Sequence, residues 1–458
     1  MSGAVAQRPT APAKTPGPPA AYRPPVGALA WPVIGEQMLQ TLVGVVDIAM
    51  VGRLGPDAVA GVGTGNQLLQ VAIAAMGAVS VGTTVLVARN TGAHRPHEAA
   101  VATRQSLVAG LAMGIALGLA GIVFARPLVA MLGPEQGVVE LGTLYLRVVS
   151  LGMPALVTML VAGAAFRGAG DTRTPLMASA AMNVVNLVAA YALVFGHFGL
   201  PALGVAGSAA AADIARLLGA VALVALLWRP GPASVRGAGW RLELDVVWRV
   251  LRIGIPTAVE QTMLSGGFLL YGAMVITLGT TVYATQRITF QAINLAFMPA
   301  FGFATATTTL TGQALGARRP DHAAAANRAA LRQSLFWMIL LGLVFAVFAD
   351  PIMRIFTDDP EVVALGRVAL PVLAIAQPFW AIGQVYAGSL RGAGDARFPM
   401  VATSLGMWLV RLPTAYLFGI VLGGGLAGVY LSSTFDAGLR ALLNFLRYRN
   451  GRWQRIEV

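Results

Sequence analysis

The chain has 458 residues, of which 57% are hydrophobic and only 11% charged, and it carries a formal charge of +13. Soluble domains hold about a quarter charged residues, so this balance excludes a soluble fold. The absence of cysteine removes disulfides, thiolate metal sites and a cysteine nucleophile.

In chain order, residues 1–27 hold seven prolines and a single lysine with no apolar core. They read as a disordered cytoplasmic tail and not as a signal peptide. Twelve apolar stretches follow, near 28–50, 60–86, 103–124, 140–163, 176–197, 204–228, 250–272, 282–309, 332–349, 364–388, 398–421 and 425–447. Each approaches the ~20 residues that cross a bilayer as a helix. Helices satisfy their own backbone in lipid, and the alternation a barrel needs is missing, so the predicted fold is an all-α membrane protein.

The second half repeats the first at a constant offset of 224 residues. Pro32 with Glu36-Gln37 falls on Pro256 with Glu260-Gln261, and Gln67 on Gln291. Arg167-Gly-Ala-Gly-Asp171 with Pro175 falls on Arg391-Gly-Ala-Gly-Asp395 with Pro399. The predicted organisation is therefore a first six-helix lobe at 28–228, a cytoplasmic linker at 229–249, a second lobe at 250–450 and a cytoplasmic tail at 451–458. Six spans per half make the repeats parallel, with a pseudo-two-fold axis along the membrane normal. The third span is about one turn longer in the first half than in the second. Pro299, Pro371, Pro378 and Pro413 inside second-half spans, against mainly Pro154 in the first, predict bends in the second bundle.

Basic residues concentrate in the tails and inner loops, and only Arg53, Arg126 and Arg354 fall in outer loops. This asymmetry places both termini in the cytoplasm of a multi-pass protein, consistent with a bacterial inner membrane. It also accounts for the positive charge without a nucleic-acid partner.

Charges inside spans are expensive and need a reason. Glu36 and Asp47 in the first span are eleven residues apart, so they share one helix face at two depths with Gln40 between them. Glu36 recurs as Glu260, which points to architecture. Asp47 falls on Tyr271, whereas Asn183 and Asn186 fall on Met407 and Val410. Asp47 with Asn183 and Asn186 is the candidate ion or proton site: a desolvated acid can exchange a proton, and an ionised one with amide oxygens can hold Na⁺. Asp213–Arg216 and Asp436–Arg440 have the spacing of pairs that neutralise themselves on one face. The four histidines, His94, His97, His197 and His322, lie at or beyond helix ends, so no intramembrane metal site or His-base cluster is predicted and the chain does not read as an enzyme.

These landmarks together resemble the multidrug and toxic compound extrusion (MATE) family. The matching stretches are Gln40-Thr-Leu-Val-Gly-Val-Val-Asp47 with Val51-Gly-Arg-Leu-Gly55, then Phe166-Arg-Gly-Ala-Gly-Asp-Thr-Arg-Thr-Pro175 leading to Asn183 and Asn186. Leu390-Arg-Gly-Ala-Gly-Asp395 and Trp408-Leu-Val-Arg411-Leu-Pro413 add the second half. The resemblance implies two six-helix lobes around a cavity that opens alternately to either side. It implies an antiporter expelling cationic or amphiphilic compounds against H⁺ or Na⁺, with no other cofactor, Asp47 as coupling acid and Asn186 as its partner. The chain departs from the pattern at Ala190, where many members carry a second acid, and at Ala212, where a hydroxyl is common. Asp213 is adjacent to the latter but points about 100° away. Leu264 and Trp380 stand where Na⁺-binding members carry acids, so the reading leans to protons.

The expected mechanism has ion coupling at Asp47, Asn186, Asn183, Glu36 and Asp213, and a substrate cavity lined by Gln40, Gln67, Glu260, Tyr271, Gln291 and Asn294. The chain is expected to act as a monomer in the bilayer. Na⁺-coupled drug efflux is one alternative. A lipid-linked saccharide flippase of the same superfamily is another, in which Arg287 and Arg411 would serve a phosphate.

Overall fold

The computed structural model describes residues 24–132, 135–237, 239 and 241–456. The predicted tail therefore lies outside the described residues up to position 23, and its last two residues already belong to α1. No strand occurs among the described residues. The first lobe comprises α1 (Val26–Gly52), α2 (Pro56–Gly92), α3 (Pro96–Ala130), α4 (Gln136–Leu151), α5 (Met153–Ala169), α6 (Arg173–Phe195) and α7 (Val205–Leu227). The second comprises α8 (Leu244–Ile276), α9 (Thr280–Gly316), α10 (Pro320–Val347), α11 (Ala349–Phe356), α12 (Pro360–Gly392), α13 (Arg397–Val421) and α14 (Gly425–Arg449).

Ten of these helices are long and apolar enough to cross a membrane, and α4 with α5, joined through a 52° bend, makes an eleventh. Helix α14 is 25 residues long but more polar, with Ser432, Ser433, Asp436, Arg440 and Asn444 all buried against the rest of its lobe. Lobe packing hides those groups from lipid, and α14 completes twelve spans in two six-helix bundles.

The repeat is visible in the backbone. Gly55 and Gly279, which cap the starts of α2 and α9, have φ of 113° and 110°, and Gly170 and Gly394 end α5 and α12 at 94° and 92°. A glycine there adopts a left-handed conformation that other residues resist.

The break above 40° is in the first lobe, at Gly152 just ahead of Pro154, whereas Pro299, Pro371 and Pro378 lie within unbroken α9 and α12. Pro413 sits in α13 between two π-helical stretches, Gly406–Arg411 and Tyr416–Val421. Local wide turns absorb the missing hydrogen bonds there, and the helix continues.

The lobes meet through α1, α2, α8 and α9. Gly82 and Gly254 stand where a Cβ would reach the Val250 carbonyl oxygen at 2.1 Å and the Ala78 carbonyl oxygen at 1.6 Å. Gly92 and Gly316 face the Gln313 and Arg89 carbonyl oxygens in the same way, at 1.9 and 2.0 Å. The Thr309 hydroxyl donates to the Arg167 carbonyl (3.1 Å) and the Gln313 amide to the Gly168 carbonyl (3.0 Å). All these approaches lie toward the side where the described chain begins and ends. The last residues join them: Trp453 is buried, stacked on Tyr448, and Arg89 donates to the Ile456 carbonyl at 2.7 Å. The C-terminal segment predicted as a tail is thus docked across both lobes as far as Ile456.

Candidate functional site

Each lobe contains the same buried triad. In the first, Arg167 donates to Glu36 at 3.3 Å and the Ser179 hydroxyl donates to it at 3.1 Å. In the second, Arg391 reaches both Glu260 oxygens at 2.8 Å and the Thr403 hydroxyl donates at 2.8 Å. All three positions keep the 224-residue offset. The arginine of each Arg-Gly-Ala-Gly-Asp stretch therefore closes over the acid of the first helix in its lobe. Its aspartate caps the next helix in the first lobe, where Asp171 accepts the Arg173 and Thr174 N–H groups at 3.0 Å. In the second lobe Asp395 accepts from Arg447 at 2.8 Å. Sequence reading saw a turn in these stretches and missed the ion pair; the offset shared by Glu and Arg was the available signal.

Asp47 has different company. Helix α1 carries it toward the side away from the chain ends, roughly 16 Å along the axis from Glu36. The Asn186 amide donates to both carboxylate oxygens, at 3.1 and 3.2 Å. Among the described residues no arginine lies within ion-pair distance of Asp47. Asn186 and Asn183 are both buried, and the Asn186 Oδ1 and Asn183 Nδ2 have no hydrogen-bond partner. Asn183 lines up on α6 with Asn186, yet only Asn186 touches the acid. Nearby, the Tyr145 hydroxyl donates to Asn66 Oδ1 at 3.0 Å, a pairing between α4 and α2 that sequence spacing does not reveal.

Asp213 is brought neither to Asp47 nor to the Ala212 face. It pairs with Arg216 at 3.1 Å and accepts the backbone N–H of Gly152, at the α4–α5 bend. A Cβ on Gly152 would lie 2.0 Å from the Asp213 carboxylate. Arg440, the offset counterpart of Arg216, pairs instead with Asp436 at 2.5 Å, and Gly406 provides that room: a Cβ there would lie 2.2 Å from Asp436. The counterparts of Gly152 and Asp213 are Ala376 and Ala437, and that of Gly406 is Met182. Each lobe thus clears space for one buried acid, from a different neighbouring helix. Asp436 also receives Arg411 at 3.6 Å.

Two residues expected in a substrate cavity lie inside the second lobe. Tyr271 is 1% exposed, donates to the Val429 carbonyl at 3.0 Å and packs 4.7 Å from the Arg411 guanidinium. Glu260 faces only a crevice of ≈ 20 Å³, room for about one water. The polar head of each side chain finds a partner in its own lobe, so neither projects between the lobes. Gln40, Gln67, Gln291 and Asn294 are exposed, on α1, α2 and α9, three of the helices through which the lobes meet. No metal-holding group of His, Asp or Glu occurs among the described residues.

The MatE family model matches residues 32–192 and again 256–417, two copies whose starts are 224 residues apart. A probable multidrug resistance protein NorM of Thermotoga maritima is 32% identical over 94% of this chain and 93% of its own length. An uncharacterized transporter, YisQ, of Bacillus subtilis is 29% identical over 93% of this chain and 94% of its own. Among solved structures, an outward-facing multidrug resistance MATE transporter superposes with a TM-score of 0.87 at 23% identity, covering 94% of this chain and 96% of that one. A MOP superfamily transporter from Pyrococcus furiosus gives 0.88 with the same identity and coverage. The likeness in fold, the doubled family match and the full-length relatives agree: this multi-pass membrane protein belongs to the MatE family.

Proposed function

We propose that the chain is a proton-coupled antiporter that expels cationic or amphiphilic compounds from a bacterial cytoplasm, with Asp47 as its coupling acid. One observation carries this reading. Of the intramembrane acids, Glu36, Asp213, Glu260 and Asp436 are each ion-paired with an arginine, whereas Asp47 is held by a neutral amide. A paired acid resists protonation, because its arginine would be left as an uncompensated buried charge. Asp47 is free of that penalty.

Protonation turns Asp47 from an acceptor into a donor. The Asn186 Oδ1 is a buried acceptor with no partner, so a half-turn of that amide would satisfy both groups. Ionised Asp47 supplies the negative field that retains a cationic compound, and the proton removes it. Coupling requires that proton and cargo favour different states, since equal affinities shift nothing. The membrane potential adds about 2.3 kcal/mol per charge per 100 mV. The interlobe contacts near the chain ends fit the closed end of such a cycle, with both termini in the cytoplasm and one chain as the working unit.

The names of the relatives support drug export. Na⁺ coupling is the weaker reading, because a hard cation needs several oxygens and only Asp47 and the Asn186 amide converge there. The flippase reading needs cations facing a cavity; Arg411 is instead buried against Asp436, Phe268 and Tyr271, which leaves exposed Arg287 on α9 as its only support among the two arginines.

The test is ethidium transport in proteoliposomes under an imposed proton or Na⁺ gradient, for the wild type and Asp47→Asn. Proton-driven transport that disappears in the variant is the expected result. An unaffected variant removes Asp47 from the mechanism. Transport driven only by Na⁺ replaces the proton reading, and transport under neither gradient shifts weight to the flippase.

A further inference from the structure

A second cavity lies away from the interlobe helices. It encloses ≈ 430 Å³ between α3, α5 and α7 and is walled by Leu107, Leu111, Val224 and Leu227. That is within the ~300–1,000 Å³ of ordinary small-molecule sites. Residues following α7 close one side: Val235 is buried in the lobe core and its N–H donates to the Leu227 carbonyl at 3.0 Å. The predicted linker is thus docked on the first lobe, where it converts a groove into a pocket.

The pocket is apolar in depth and cationic at its mouth. Arg104 lines it with a side chain only 6% exposed, donating to the Arg241 carbonyl at 3.2 Å and lying 3.9 Å from Glu243. Its offset counterpart, Arg328, is exposed. The segment after α7 that supplies one wall also carries exposed Arg229, Arg236 and Arg241 and one acid, Glu243, although Arg104 is the arginine that lines the pocket itself. Trp228, 44% exposed, borders the same mouth, where an indole marks the boundary between lipid and water. On α3 the lining runs from Arg104 to Leu111, roughly 10 Å along the helix axis and about a third of the hydrocarbon core.

We propose that this pocket holds an anionic phospholipid, one acyl chain lying between α3 and α7 and the phosphate meeting the arginines at the mouth. Charge decides the occupant. A cationic compound of the kind exported would be repelled by this arginine cluster, whereas a phosphodiester complements it. The open flank faces lipid, which supplies acyl chains at high local concentration. Because the linker forms one wall, the bound lipid braces the connection between the lobes. None of this depends on which ion drives transport.

Native mass spectrometry of the purified full chain with dioleoyl phosphatidylglycerol or dioleoyl phosphatidylcholine tests the site. The wild type should retain phosphatidylglycerol at least about fivefold better, the gain expected from one engaged arginine at ~1 kcal/mol. Arg104→Gln, which keeps a donor toward the Arg241 carbonyl, should remove about that factor. Val108→Trp and Leu111→Trp fill the pocket and should lower retention of both lipids, and the two substitutions guard against one failing to fold. Inorganic phosphate should not displace the lipid. Equal retention of the two lipids by the wild type, wild-type retention in a folded filling variant, or displacement by phosphate alone would each overturn the proposal.

Discussion

The two lobes share a scaffold and differ in where their unpaired chemistry lies. Both close a first-helix glutamate under an arginine and a hydroxyl, Glu36–Arg167–Ser179 and Glu260–Arg391–Thr403. Beyond that triad they diverge. The first lobe places Asp47 against Asn186, whereas the second has Tyr271 and Val410 at those positions and a buried Arg411 where the first has Leu187. Counting the intramembrane groups named here, the first lobe is left with one acid beyond its arginines. In the second, two acids (Glu260 and Asp436) face four arginines (Arg287, Arg391, Arg411 and Arg440). The repeated positions hold each bundle together, and among the described residues only the first lobe carries an intramembrane acid held by an amide instead of an arginine.

The most direct way to break this contrast is Asp47→Asn. It should reduce proton-driven ethidium transport by ~100-fold, near the upper end of coupling free energies, while leaving the unfolding midpoint in detergent close to wild type. A comparable loss in Glu260→Gln would dissolve the distinction between the lobes.

Next in size is the scaffold pair. Arg391→Ala leaves Glu260, 5% exposed at its side chain, as an uncompensated buried charge and should cost about 3–5 kcal/mol in detergent unfolding. Arg167→Ala should cost less, because Glu36 is 12% exposed and its contact is longer, at 3.3 Å. Equal costs would mean that the two triads are equivalent in strength as well as in position.

The glycines sharpen the comparison further. Gly152→Ala and Gly406→Ala each force a methyl against a buried carboxylate and should destabilise by about 1–3 kcal/mol. The exchange of Gly152→Ala with Asp213→Ala copies the second lobe at both positions. It should relieve the clash while still leaving Arg216 without its acid, so a thermal scan should place it above Asp213→Ala alone only if the α4–α5 bend straightens. The smallest effect belongs to Tyr145→Phe, which removes one hydrogen bond to Asn66 and should shift stability by about 0.5–1.5 kcal/mol.

Much of this was legible in the chain. Helical periodicity placed Asp47 and Glu36 on one face, and the offset separated the repeated Glu36 from the unrepeated Asp47. The same spacing placed Asn183 and Asn186 together, but gave no means of telling which of them reaches across to α1. It also put Asp213 beside Ala212, where it read as part of an ion site; packing against Gly152 and Arg216 turned it elsewhere. Tyr271 and Glu260 read as cavity residues because both are polar groups on a helix that borders the other lobe. Their partners, the Val429 carbonyl and Arg391, are 158 and 131 residues away in the chain and no local pattern announces them.

The amino-acid sequence by itself determined the helices, their number and their doubling. These follow from apolar length, from 3.6-residue periodicity and from a register shared by two halves. The partner of each buried charge was decided only by tertiary structure. Helix spacing states which way a side chain faces, but only the packing shows that a methyl on Gly152 would meet the Asp213 carboxylate of α7.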